Sequence, residues 1–252
     1  MRIIVAAAAL ALLTACGSGS SSEPDAAPAT SPAAIESSSE ATRPPCPNPE
    51  GQFCLGRLDA GTYSTVQFEP AISYTVTAGW SNFEDMAGNF LLVPPTGNLK
   101  GVDGGTSDFI GVYRSVVAHA NACPSTPAPG VGTTPAAIMK WLQRDPALRA
   151  TPPQPVTVGG LPGFVTTLRI APSWKRACPY SHGLALAPLI VGSSSTFLDH
   201  NLIPGQATRL YLLDSTTAEG QPAALAIEVV DIKDAGHLAA YSKLVEQLRF
   251  DA

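Results

Sequence analysis

Apolar and polar positions alternate with a period of two through much of the chain beyond residue 60. Ile72, Tyr74 and Val76 fall on one face of an extended segment, and Ser73, Thr75 and Thr77 on the other. That pattern predicts a half-buried strand over 71–77, paired in a hairpin with 62–68 around Glu69-Pro70. Short strands are expected at 89–93 and 109–117. Phe164, Thr166, Leu168 and Ile170 alternate with Val165, Thr167 and Arg169. The last two strands fall at 208–213 and 223–232. The second of these is almost wholly apolar and reads as central in a sheet.

The spacing changes in two places. Thr134-Pro135 is a cap followed by proline at the first helical position. Ile138 and Leu142 then lie one turn apart, with Trp141 beside them, until Asp145-Pro146 ends the helix. Near Asp234 or Ala235 a second helix begins. Its Leu238, Tyr241, Val245 and Leu248 step by three and four along one face. Hairpins, a helix, more hairpins and a closing helix predict an α+β fold with a few helices packed on an antiparallel β-sheet.

The amino terminus follows another rule. Met1-Arg2 precedes 11 apolar residues, Ile3 to Leu13. As a helix that run would rise about 16 Å, half of a hydrocarbon core. It reads as a secretory signal peptide over 1–15. Leu13-Thr14-Ala15-Cys16 resembles the bacterial lipobox, which implies cleavage before Cys16 and lipid attached to it. More than one acyl chain on a residue gives stable attachment where one is marginal. The expected location is therefore the cell membrane, lipid-anchored on the extracytoplasmic face, in either membrane of a two-membrane cell. Residues 17–45 hold 8 Ser, 6 Ala and 5 Pro with one large apolar side chain, Ile35. Such a stretch cannot bury enough surface to offset its ordering entropy, so 16–45 reads as a lipidated cysteine and disordered tether. Residues 46–252 read as a single domain.

Composition narrows the functions. Without 1–15 the chain has 14 cationic and 20 acidic side chains, a formal −6. An acidic chain without a basic run argues against nucleic acid as a partner. Once Cys16 is lipidated, four cysteines remain: Cys46, Cys54, Cys123 and Cys178. Outside the cytoplasm an even set reads as disulfides, with three possible connectivities. Cys46–Cys54 would close a small Pro/Gly loop. Cys123–Cys178 would tie two Cys-Pro loops, and this pairing is favoured. Neither a CxxC motif nor paired histidines points to a redox or metal site.

Three passages carry a family resemblance. Ile72 to Trp80 is similar to the strand and Gly-Trp that open the Mog1/PsbP-like proteins. Val156 to Gly163 resembles the Gly-Gly-x-Pro turn before their central strands. Leu225 to Ile232, with a helix ending Leu244 to Phe250, resembles their last strand and closing helix. The layout is similar to that of uncharacterised actinobacterial lipoproteins of the LpqN type. Those motifs belong to the fold and transfer no catalytic residue. The resemblance implies a non-enzymatic binding or scaffolding role in the cell envelope. The proline-rich span from Cys123 to Cys178 departs from it.

Candidate chemistry is sparse. Trp174, Lys175, Arg176, Tyr180 and His182 set aromatics beside cations, a pattern suited to a glycan, a phosphate or an acidic envelope partner. A hydrolase would draw on Gly192-Ser193-Ser194-Ser195-Thr196, which lacks the second glycine of a nucleophile elbow. His182, His200 and His237 would be its possible bases. Glu84-Asp85, Asp199-His200 and the Asp103 to Asp108 turn show no metal-ligand spacing. No catalytic residue, metal or cofactor is assigned. A small-molecule capture lipoprotein is the remaining alternative. Trp80 reads as core.

Overall fold

The computed structural model describes residues 43–251, apart from 103, 124, 194–198 and 234–235. The signal segment, Cys16 and nearly all of the tether lie outside the described residues. Arg43–Pro45, placed in the tether by composition, instead pack against the domain. The Arg43 guanidinium sits 4.7 Å from the Phe83 ring centre, and Leu55 N–H donates to the Pro44 carbonyl at 2.8 Å.

Fourteen strands and two helices follow among the described residues. They are β1 (Gln52–Phe53), β2 (Gly61–Ser64), β3 (Ile72–Val76), β4 (Ser81–Asp85), β5 (Asn89–Val93), β6 (Phe109–Ala118), α1 (Pro135–Leu142), β7 (Leu148–Ala150), β8 (Gln154–Val158), β9 (Leu161–Ile170), β10 (Ala187–Gly192), β11 (Asp199–Leu202), β12 (Ala207–Thr216), β13 (Pro222–Asp231), α2 (Leu238–Val245) and β14 (Arg249–Phe250). Pairing between strands is antiparallel throughout. The class is α+β, as the patterning predicts. None of the described helices is long and apolar enough to cross a membrane.

The large sheet runs β1-β4-β5-β6-β13-β12-β9-β7, with β8 also on β9 and β10 on both β6 and β11. The predicted hairpin forms as β2 and β3, with Tyr63 opposite Tyr74. It joins β14 in a separate three-stranded sheet.

Alternation along β13 divides the core. Leu225, Ile227 and Val229 face one cluster, which α2 closes with Leu238, Tyr241, Leu244 and Val245. Trp80 belongs to that cluster, edge-on to Tyr241 at 5.9 Å. Ala224 and Ala226 face the other, which α1 covers with Ile138, Met139 and Leu142. Burying each such side chain contributes about 1.5–3 kcal/mol. The cap on α1 forms as the sequence predicts: the Thr134 hydroxyl accepts from Ala137 N–H at 3.4 Å. The start expected for the second helix lies outside the described residues; its described turns begin at Leu238.

One irregularity shapes the functional face. In β6, Arg114 and Ser115 together oppose Leu225, because Tyr113 pairs with Ala226 and Val116 with Ala224. Ser115 takes φ +51° to make this bulge. Here the neighbour of β6 changes. Residues 110–113 pair with β5, and 116–118 pair with β10. The exchange falls at the bulge, where Arg114 N–H donates to the Gly88 carbonyl and Ser193 N–H to the Ser115 carbonyl.

The four remaining cysteines form the favoured pairs. Cys46–Cys54 spans 5.1 Å between Cα atoms and Cys123–Cys178 spans 5.8 Å, both inside the usual range. The second ties the loop after β6 to the turn Pro179–Ser181.

Candidate functional site

Between β5 and β11, over β6 and β13, a cleft of about 930 Å³ opens. It is near the upper end of the ~300–1,000 Å³ seen for ligand pockets. Its floor follows from strand register. Leu91, Gly111 and Glu228 lie side by side on β5, β6 and β13. Gly111 matters because it has no side chain: a Cβ there would meet the Tyr113 hydroxyl at 2.0 Å. The Tyr113 ring therefore lies back along its own strand. The His200 ring, on β11, lies tilted against that ring, with 4.2 Å between centroids.

Glu228 is 1% exposed. Its Oε2 lies 2.5 Å from His200 Nδ1, which is its polar partner. The Tyr113 hydroxyl and Asn201 Oδ1 are buried without a hydrogen-bond partner. Each unsatisfied buried polar atom costs about 1–3 kcal/mol. Burial first, then the nearby Glu228 and Glu84 carboxylates, push the Tyr113 hydroxyl well above the ordinary tyrosine range. It is protonated and able to donate.

The rim is apolar. Six large apolar side chains stand exposed among the described residues, and Phe53, Met86, Tyr180 and Leu184 of these border the cleft. Exposed apolar groups gathered around a concavity mark a binding surface more than scattered ones do.

A second polar group forms one wall. Asp199 accepts from Asn201 Nδ2 at 2.8 Å and from the Ser125 hydroxyl, and lies 3.2 Å from His119 Nε2. His119 is fully buried, and its Nδ1 contacts the Ala120 carbonyl. Burial raises the Asp199 carboxyl, but the bonds from His119, Ser125 and Asn201 outweigh it and hold the group below its ordinary 3.8. A carboxyl lowered by folding stabilises the fold above its unfolded pKa, and that stability is lost as pH falls through the folded value. Urea midpoints should therefore drop below about pH 4, and Asp199→Asn should flatten part of that drop. An unaltered acid limb in Asp199→Asn would refute the assignment.

The five residues of the sequence-predicted patch do not converge on one surface. Tyr180 and His182 border the large cleft. Trp174 and Lys175 line a separate hollow of about 230 Å³. The Trp174 indole is half-buried, and its N–H donates to the Leu186 carbonyl at 2.9 Å. Arg176 bonds to the Asn121 carbonyl.

The hydrolase candidates separate too. Ser194–Thr196 lie outside the described residues. Among the described residues, no hydrogen bond joins a serine hydroxyl to an imidazole. Ser125 reaches Asp199, not His119. His237 stands at the start of α2, where its Nδ1 is 3.5 Å from Asp108 and 3.6 Å from Asp231. Those three could in principle surround a cation, but the carboxylate oxygens are already bonded. Asp108 accepts from Ile232 N–H and the Tyr241 hydroxyl, and Asp231 from Lys233 and His237 N–H. They clamp the helix start to the sheet. Asp85 similarly takes the Val66, Gln67 and Phe68 N–H groups and fixes that turn, while its neighbour Glu84 borders the cleft.

Glu228, Tyr113, Gly111 and His119 are not singled out by sequence reasoning. The carboxylate of Glu228 within the apolar run Leu225 to Val230 was the available signal, since a buried charge needs a reason.

Comparison with protein-family models, with curated proteins and with solved structures finds no match.

Proposed function

We propose that this protein is a lipid-anchored, extracytoplasmic binding protein that captures a small amphiphilic molecule in the cleft between β5 and β11. One observation carries the reading: a cleft of about 930 Å³ bordered by the exposed apolar side chains Phe53, Met86, Tyr180 and Leu184 and by the polar Asn89, Asp199, His200 and Asn201. A preformed concavity of that kind buries an apolar body and orients a polar head. Of the roles open to such a lipoprotein, small-molecule capture fits this geometry better than hydrolysis or pure scaffolding. The Mog1/PsbP-like, LpqN-type kinship remains part of the proposal, and it rests on the three resembling passages of sequence. A role for an envelope protein or glycan as partner would lie outside the cleft, on the Trp174–Lys175 side.

A neutral, environment-sensitive dye tests the binding. N-phenyl-1-naphthylamine added to the full chain made without lipid (Cys16→Ser) should brighten and saturate at one site per chain. Asn89→Trp, which places a large ring at the cleft wall, should weaken it more than tenfold. No saturable brightening would overturn the reading.

The anchor has its own test. Cys16→Ala should release the protein from the membrane into the soluble extracytoplasmic fraction. Unchanged membrane recovery and detergent partitioning would show the anchor assignment to be wrong.

A further inference from the structure

We infer that the mouth of this cleft docks on the lipid bilayer that holds the chain, so that the captured amphiphile enters from the membrane and not from water. The inference rests on the capture and anchor readings above and names the source of the ligand.

The apolar rim gives the first reason. Phe53, Met86, Tyr180 and Leu184 are 36–55% exposed and come from three separate stretches of chain, yet all border one opening. Leu55, also exposed, follows Phe53 by two residues. Five of the six exposed large apolar side chains among the described residues thus belong to the opening or to the chain just after it. Such a gathering gains by leaving water for an apolar surface. Tyr180 adds a ring with a polar tip, a side chain suited to the headgroup level of a bilayer.

The point where the chain enters the domain gives the second. The Arg43 guanidinium lies 4.9 Å from the centre of the Phe53 ring. The Pro44 carbonyl accepts from Leu55 N–H, and the Cys46–Cys54 bridge ties the entering chain to the residue after Phe53. These three contacts fix the entry on the rim itself. Residues 17–42 separate Cys16 from Arg43, a reach of at most ~90 Å. An anchored chain therefore keeps its rim near the bilayer, and docking becomes an intramolecular step at high effective concentration. A protein partner would have to arrive from solution; the bilayer is already there.

Charge gives the third. No lysine or arginine lines the cleft, and the chain without 1–15 is acidic. Docking is therefore apolar, not the pairing of a basic patch with anionic headgroups. A neutral phosphatidylcholine surface is enough.

The chain cut before Cys16 offers one thiol, because its other cysteines are bridged. Coupling that thiol to a maleimide phospholipid in phosphatidylcholine vesicles reproduces the attachment without the natural lipid. A tryptophan is placed on the rim, as Leu184→Trp, or on α2 across the sheet from the cleft, as Lys243→Trp. The host lipid carries bromine in its acyl chains, which quenches tryptophan on contact. Emission from the chain without the added tryptophan is subtracted. Leu184→Trp should lose about half of its emission on entering the apolar boundary of the bilayer, and Lys243→Trp should not change. Phe53→Trp, on another stretch of the rim, should repeat the result and keeps the test decisive if Leu184→Trp fails to fold. Added phosphatidylglycerol should not increase the quenching.

Equal quenching at the rim and at Lys243→Trp would overturn the docking. So would an absence of quenching at both rim positions, or quenching only with anionic lipid. Bromine confined to the coupling lipid should leave Leu184→Trp bright; quenching there would mean that the chain's own anchor fills the cleft in place of the bilayer contact. Saturable dye binding in water without rim quenching would sink the docking and leave the capture reading in place. The Cys16→Ala fractionation tests the anchor separately.

Discussion

Removing the Cys123–Cys178 cross-link, as a Cys123→Ala, Cys178→Ala double variant, should lower the unfolding free energy by about 4 kcal/mol and weaken ligand binding in the cleft. The bridge joins residues 55 apart. Holding that span closed in the unfolded chain removes much of its conformational entropy, and the effect grows with loop length. Cys46–Cys54 joins residues only 8 apart, so the equivalent variant should lose about 2.5 kcal/mol. The longer bridge also has a functional consequence. Cys178 begins the turn that carries Tyr180 and leads to His182, and both side chains border the cleft. Cys123 stands two residues before Ser125, which bonds Asp199 on the cleft wall. Cutting the bridge frees the rim and one wall together. Urea unfolding and dye titration on the two double variants measure both effects. If the Cys46–Cys54 pair costs more, or the cleft binds equally well without Cys123–Cys178, the account of this bridge is wrong.

Gly111→Val should abolish binding in the cleft and destabilise the fold by about 3 kcal/mol, the upper part of the range for overpacking. The position is mid-strand, flanked by Leu91 and Glu228 in register. A Cβ would come within 2.0 Å of the Tyr113 hydroxyl and 2.4 Å of its Cζ. The tyrosine must then leave its place along the strand. It would lose its contact with the His200 ring and swing into the space the ligand needs. Gly132→Ala is the comparison: its Cβ would meet nothing closer than 3.4 Å, so it should be nearly neutral. Thermal unfolding and dye binding of the two variants give the contrast. Normal binding by Gly111→Val would mean that the Tyr113 position does not form the floor.

The elements were legible where periodicity was strong. Asn89–Val93, Phe109–Ala118, Pro135–Leu142 and Pro222–Asp231 fall where alternation or helical spacing places them. Short edge strands were not legible. Gln52–Phe53, Leu148–Ala150 and Arg249–Phe250 are two or three residues long, too brief to show a period and dependent on their sheet partners. Asp199–Leu202 reads as a polar turn, yet pairs with β10 because that apolar strand supplies its ladder.

The site was less legible than the fold. Asp199, His200, Tyr180 and His182 stand out by residue type, but their grouping with Glu228 and Tyr113 depends on the bulge at Ser115. A one-residue insertion moves Val116 onto the same face as Tyr113, and nothing in local composition announces it. Trp174 and Tyr180, six residues apart in the chain, point to different hollows because the Cys178 turn intervenes.

The most direct measurement is an amide chemical-shift map of the lipid-free chain titrated with N-phenyl-1-naphthylamine. Perturbations should concentrate in 89–91, 109–113, 180–186, 199–203 and 228, the segments that border the cleft. Saturating shifts centred on Trp174 and Lys175, or spread evenly over the surface, would contradict the account.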